Sequence, residues 1–136
     1  MKRQTIRCPY CGSTAILRDA SYVYGKKSRG GKLYVCSHYP ACNSYVGVHP
    51  GTSTPKGTLA GKELRAKRVK AHQMFDQIWR QGILSRKEAY HWMEDKFGLD
   101  YRFAHIGYFS DYMCDQLIME SAKVLQSNHV RLAAVG

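Results

Sequence analysis

The chain has 136 residues, 44% of them apolar, with a formal charge of +11. That is apolar content enough for a real core, which excludes wholesale disorder, and length enough for one domain or for a small module joined to a modest helical one. No stretch approaches 18 consecutive apolar residues, and the opening MKRQTIRCPYC has no apolar signal-peptide run, so the expectation is a cytoplasmic protein with reduced thiols and no membrane partner. The charge is one-sided. Residues 1–70 carry 14 Lys and Arg against Asp19 and Glu63, a net +12, whereas residues 71–136 carry 7 against 8 acids, a net −1. Such asymmetry favours a polyanion surface on the basic half.

Residues 1–50 hold four of the five cysteines. The first pair lies in Cys8-Pro-Tyr-Cys11-Gly12, where two thiolates on a tight turn can reach one ion and the glycine can supply a positive φ. Next come ILRDASYVYG and KLYVC, strand-like runs on either side of the basic, Gly-rich turn GKKSRGGK; together they predict an antiparallel hairpin. In that hairpin Tyr22 and Tyr24 share a face of one strand, with Tyr34 on its partner. Cys36 and Cys42 follow and supply the second pair that a tetrahedral zinc needs. A zinc with four cysteine ligands has no open position for water, so the expected cofactor is one structural Zn2+ held by Cys8, Cys11, Cys36 and Cys42. It would replace the core that fifty residues cannot build. A rubredoxin-type iron site wants a second Cys-x2-Cys, and a thioredoxin-type redox pair wants a βαβ context; neither pattern follows. His38 could also bind zinc through its imidazole, but with four cysteines at hand it reads as a loop residue.

The stretch HPGTSTPKGT (49–58) is rich in Gly, Pro, Ser and Thr and reads as a linker or wrapping loop, with residues 51–58 as the linker between the two parts. From residue 59 to 136 the pattern is helical. KELRAKRVKAHQMFDQIWRQG puts Leu64, Ala71, Phe75 and Ile78 on one face, and Gly82 suits its C-cap. Its first turns are basic, with Arg65, Lys67, Arg68 and Lys70. A second helix starts at the capping box Ser85-Arg-Lys-Glu88 and runs through Trp92 and Met93 to Gly98. A third starts near Ser110-Asp111 and turns Met113, Cys114, Leu117 and Ile118 inward. The predicted fold class is a small α+β protein: an N-terminal zinc ribbon, a β-hairpin with two cysteine knuckles, followed by a three-helix bundle.

Other chemistry has little support. Glu88, Glu94 and Asp95 make the second helix a poor fit to a DNA major groove, against a helix-turn-helix. No phosphate loop, nucleophile elbow or His-Glu-x-x-His occurs. Cys114 with His105 could be drawn as nucleophile and base, yet a lone cysteine on an apolar helix face reads as core. Neither an enzyme nor a small-molecule substrate is expected.

CPYCG followed by CSHYPAC resembles the four-cysteine zinc ribbon of bacterial topoisomerase I tails, with matches at Cys8, Pro9, Cys11, Gly12, Cys36, Ser37, Tyr39, Pro40 and Cys42. The hairpin insert is longer and more basic than in those ribbons. Through YVGVHPGT, GTLAGKELRAKRVKAHQMFDQIW, SRKEAYHWMEDKFG and HIGYFS, most of residues 8–120 is similar to a family of phage and bacterial zinc-finger-containing proteins, which implies a phage or prophage origin. The ribbon resemblance implies binding of single-stranded DNA, with aromatics stacking on bases and cations following the backbone. Lys26, Lys27, Arg29 and Lys32 crowd the hairpin tip and suit phosphates. Tyr22, Tyr24, Tyr34 and Tyr39 suit base stacking, or equally the cover of a small core. Arg65 and Arg68 extend the basic surface. Nucleic acid is thus the expected partner, DNA ahead of RNA. The other function class is a protein-interaction module, for a host factor or as a defence inhibitor, that uses the helical half.

Overall fold

The computed structural model describes residues 5–128. The chain divides into two compact units, Met1–Arg65 and Ala66–Gly136.

The first unit is built on a three-stranded antiparallel sheet in the order β1 (Ala15–Asp19), β2 (Lys32–Cys36), β3 (Tyr45–Gly47). The register sets Ala15 opposite Cys36 and Leu17 opposite Tyr34, and pairs Val35 with Tyr45. Strand alternation then sorts the side chains into two small cores. One face gathers Cys8, Ala15, Cys36 and Leu59, with Tyr34, Cys42 and Val46 against them. The other gathers Ala20, Leu33, Val35 and Tyr45, with Val23 and Tyr39.

This α+β ribbon differs from the expected two-stranded hairpin in three local ways. The first strand stops at Asp19, whose carboxylate accepts the Ser21 amide at 2.9 Å. A short acidic side chain that satisfies a nearby amide competes with the strand ladder. The chain turns there into the one-turn helix α1 (Ser21–Tyr24) and a 3-10 turn (Gly25–Lys27), so Tyr22 and Tyr24 sit on a helix and not on a strand. A third strand is added after the second cysteine pair, because Cys36 donates to the Ser44 carbonyl and Tyr45 exchanges backbone hydrogen bonds with Ala60. Finally, residues 51–58 wrap the sheet edge, the second of the two readings of that stretch, and are not a free linker. Val48 bridges Pro55, the Lys56 amide donates to the Gly47 carbonyl at 2.9 Å, and the fully buried Leu59 ends the stretch in the cysteine-side core. Hydrogen bonds to the sheet edge hold the stretch that its composition marked as loose.

Helix α2 (Lys62–Arg80) begins within the first unit and continues as the first helix of the second, where α3 (Arg86–Phe97) and α4 (Asp111–Ser127) follow it. The predicted capping box is present: the Ser85 hydroxyl accepts the Glu88 amide at 3.1 Å, and the Glu88 carboxylate accepts the Ser85 amide at 3.0 Å. Gly98 closes α3 in the left-handed conformation at φ 62°, where a side chain would be strained. Ser110 caps α4 by accepting the Met113 amide. Ala71, Phe75, Ile78, Ala89, Met93, Cys114, Leu117 and Leu125 form the buried side of these helices. The Phe75 ring meets Tyr90 edge-on at 5.0 Å and stacks with Trp92 at 6.4 Å. Ion pairs Lys67–Asp115 (3.0 Å) and Lys96–Glu120 (3.2 Å) tie α4 to α2 and α3. Among the described residues no helix is long and apolar enough to cross a membrane.

Candidate metal centre

Two knuckles and one strand end bring the cysteines together. At the first knuckle the Cys8 amide donates to the Ser13 carbonyl at 2.8 Å, and the Gly12 amide donates to the Cys8 carbonyl at 2.9 Å. Gly12 takes φ 76°, the positive value the turn requires. At the second, the Tyr39 amide donates to the Cys36 carbonyl and the Cys42 amide to the His38 carbonyl, which closes the loop between the two ligands. The pairing of Ala15 with Cys36 carries the end of β2 to the first knuckle.

All four sulfurs lie within 4.8 Å of one another. Cys8 Sγ is 3.6 Å from Cys42 Sγ, and Cys11 Sγ is 3.5 Å from Cys36 Sγ. A tetrahedral zinc with bonds of about 2.3 Å places its sulfurs roughly 3.8 Å apart, whereas a disulfide needs about 2.05 Å. Cys8, Cys11, Cys36 and Cys42 therefore can hold one zinc ion, as their spacing predicts, and are not paired as disulfides. Cys8 and Cys36 are buried, Cys42 half-buried and Cys11 exposed, so the ion would sit at the edge of the cysteine-side core. His38 takes no part: its exposed ring lies 3.2 Å from the Ser13 hydroxyl.

The thiols conflict electrostatically without a cation. Burial opposes ionisation of Cys8, but hydrogen bonds from Ser44 and from the Cys11 and Tyr10 amides hold it below its ordinary value. Hydrogen bonds from the Ser13 hydroxyl and amide bring Cys11 down to about 6. Burial, then the neighbouring Cys8, pushes Cys42 up to about 12, and burial likewise raises Cys36. The site thus favours the charged form at Cys8 and Cys11 and disfavours it at Cys36 and Cys42. A divalent cation removes that conflict by taking all four as thiolates.

Two contributors escaped the sequence reading. Ser44 is fully buried with its hydroxyl 3.0 Å from Cys8 Sγ, and Leu59 packs beside the ligands from the far end of the 48–59 stretch. The only signal for Ser44 was a small hydroxyl residue two positions after Cys42.

The residues predicted to meet nucleic acid separate into three groups. Lys26 and Lys27 lie in the 3-10 turn, with Arg29 and Lys32 just beyond it; all four are exposed, and none makes a salt bridge among the described residues. Tyr22 and Tyr24 are each 46% exposed beside this tip. Tyr22 lies 5.8 Å from Tyr39, and Tyr45 links Tyr39 (6.4 Å) to Tyr24 (5.9 Å), which makes a continuous run of rings. The Arg18 guanidinium sits 4.2 Å above the Tyr22 ring. Tyr34 does not join them. It belongs to the opposite face, where its hydroxyl donates to the Ser53 carbonyl at 2.6 Å. Arg65 is engaged within the unit: it lies 3.8 Å over the Tyr45 ring and donates to the Ala60 carbonyl (2.7 Å) and to Asn43 (2.8 and 3.1 Å). Arg68, in the second unit, is half-buried and donates to the Phe109 carbonyl at 3.1 Å.

No curated protein and no solved structure matches the chain. Its cysteine pattern and the segments that follow do match a family described as a zinc-finger-containing domain, over residues 4–124, and with nearly the whole chain covered the protein belongs to that family.

Proposed function

We propose that this protein is a nucleic-acid-binding accessory factor of phage or prophage origin that holds single-stranded DNA, in preference to duplex or RNA, on its zinc-bound unit. The observation that carries the reading is the exposed cluster Lys26, Lys27, Arg29 and Lys32, in which only Lys32 has a facing acid, Asp19, among the described residues, beside the half-exposed rings of Tyr22 and Tyr24. Like charges held together at a loop tip are relieved by a phosphate backbone, whose bound counterions are released on contact. Bases that stack on accessible tyrosines add about 1–3 kcal/mol each, and only an unpaired strand offers both faces of its bases. Tyr39 extends the aromatic run from its half-buried position. Tyr34, Arg65 and Arg68 serve packing in this account. The zinc does no chemistry; it holds the knuckles that present the tip, and the protein acts without catalysis.

Alanine replacement of Lys26, Lys27, Arg29 and Lys32 together tests the reading. Binding of single strands should fall by an order of magnitude or more at near-physiological salt, with zinc content unchanged. A second reading, a host-protein module, draws on Tyr101 (71% exposed), Phe103 (55%) and Tyr112 (69%) of the helical unit. A protein-only binder would be indifferent to those four substitutions.

A further inference from the structure

The stretch 48–56 does more than wrap the sheet. Together with the hairpin tip it encloses an open groove of about 760 Å³, within the size range of small-ligand sites. Arg29 and Lys32 enter it from the tip, Lys56 from the facing stretch, and Tyr24 forms part of the wall. Thr52 and Ser53 add hydroxyl-bearing positions, glycines and apolar residues such as Leu17, Leu33 and Val48 line the remainder, and no carboxylate does. Lys56 is exposed, and its backbone amide is fixed to the Gly47 carbonyl at 2.9 Å, so its place in the groove follows from the sheet edge.

We infer that this groove is a nucleotide site, in which Arg29, Lys32 and Lys56 hold a phosphate ester of the bound strand and Tyr24 lies against its base. The inference rests on the nucleic-acid reading above and deepens it by giving the strand a fixed point and by adding Lys56. A concave site lined by one sign of charge concentrates the opposite charge more than a convex tip does. A guanidinium adds forked donors suited to phosphate oxygens, and two ammonium groups add point charge around it. Lys26 and Lys27 do not line the groove, so they serve as an internal comparison.

The test uses the full zinc-loaded chain, labelled with 15N, and titrates it with a 5′-phosphorylated dithymidine dinucleotide and, separately, with inorganic pyrophosphate. Both should shift amides in residues 29–33 and 50–56, and the dinucleotide should bind more tightly because it also meets Tyr24. Lys56→Glu, at an exposed position, should keep zinc and spectral dispersion yet weaken dinucleotide binding by about five-fold or more. It should also lower the salt slope for a longer oligothymidine by about 0.7 or more. Pyrophosphate equal to the dinucleotide would overturn the nucleotide assignment in favour of a bare anion site. A polyglutamate peptide that competes as well as the oligonucleotide would overturn it in favour of acidic chains. If Lys56→Glu is silent while Lys26→Ala/Lys27→Ala weakens oligothymidine binding, the groove is wrong and the wider reading stands. If the unsubstituted protein does not bind oligothymidine, both fail.

Discussion

Ser44 Oγ lies 3.0 Å from Cys8 Sγ, and both side chains are closed to solvent. Once Cys8 is a metal-bound thiolate it can only accept, so the hydroxyl donates to it and balances part of its charge inside the fold. Removal of such a partner costs about 10–100-fold in metal affinity. Ser44→Ala should therefore bind zinc more weakly by that factor in competition with a chromophoric chelator at fixed pH. Affinity equal to the unsubstituted protein would show that the hydroxyl is a bystander.

The zinc site and the first unit should fold as one. Two of the four buried residues in the cysteine-side core are themselves ligands, Cys8 and Cys36, so binding the metal and completing that core are one event. Structural zinc supplies about 10–16 kcal/mol in small zinc domains. Chelation at neutral pH, or Cys36→Ser, should collapse the dispersion of the first unit's amide signals and leave most of the helical circular dichroism in place. Loss of the helical signal with the metal would contradict independent units.

Arg65 separates packing from binding. Its guanidinium covers the Tyr45 ring and satisfies carbonyls of Ala60 and Asn43. Arg65→Ala should destabilise the zinc-loaded first unit by about 1–3 kcal/mol in denaturant titrations. Arg65→Lys should restore only part of this, because an ammonium lacks the fork. Oligonucleotide affinity, measured where both variants are folded, should stay unchanged; a selective loss would return Arg65 to the binding surface.

Cys114 predicts an alkaline signature for the helical unit. Burial raises its thiol from 9.0 to about 11. A raised folded value means the native state holds its proton more tightly than the unfolded chain. The contribution is complete below pH 9.0, the unfolded value, and disappears as pH rises through about 11. Unfolding free energy should thus fall over that window, and Cys114→Ala should flatten the slope even though the smaller side chain lowers stability throughout. An unchanged slope would show that another group carries the titration.

How far the fold could be read ahead depended on the range of the forces involved. Cysteine knuckles and capping boxes are local, so Cys8/Cys11, Cys36/Cys42 and Ser85/Glu88 were all legible from spacing. The pairing of Tyr45 with Ala60 is not local, and it turned the apparent linker into part of the sheet. Asp19 overrode the alternation of ILRDASYVYG by a single hydrogen bond to Ser21, which moved Tyr22 and Tyr24 from a strand to a helix. Tyr34 stays on the partner strand, β2, as expected, but its side chain packs on the cysteine-side core, away from Tyr22 and Tyr24. Arg65 looked like one more cation in a basic run until its partners Tyr45 and Asn43, about twenty residues earlier, came into view.

The most direct test of the central claim is fluorescence anisotropy of zinc-loaded protein with labelled single- and double-stranded DNA and RNA, at low salt and at about 150 mM. Binding should be sub-micromolar, prefer single-stranded DNA, survive the higher salt, and be lost when Lys26, Lys27, Arg29 and Lys32 become alanine. Binding that appears only at low salt and ignores strand form would contradict that claim, and would leave the charge of the tip as generic electrostatics.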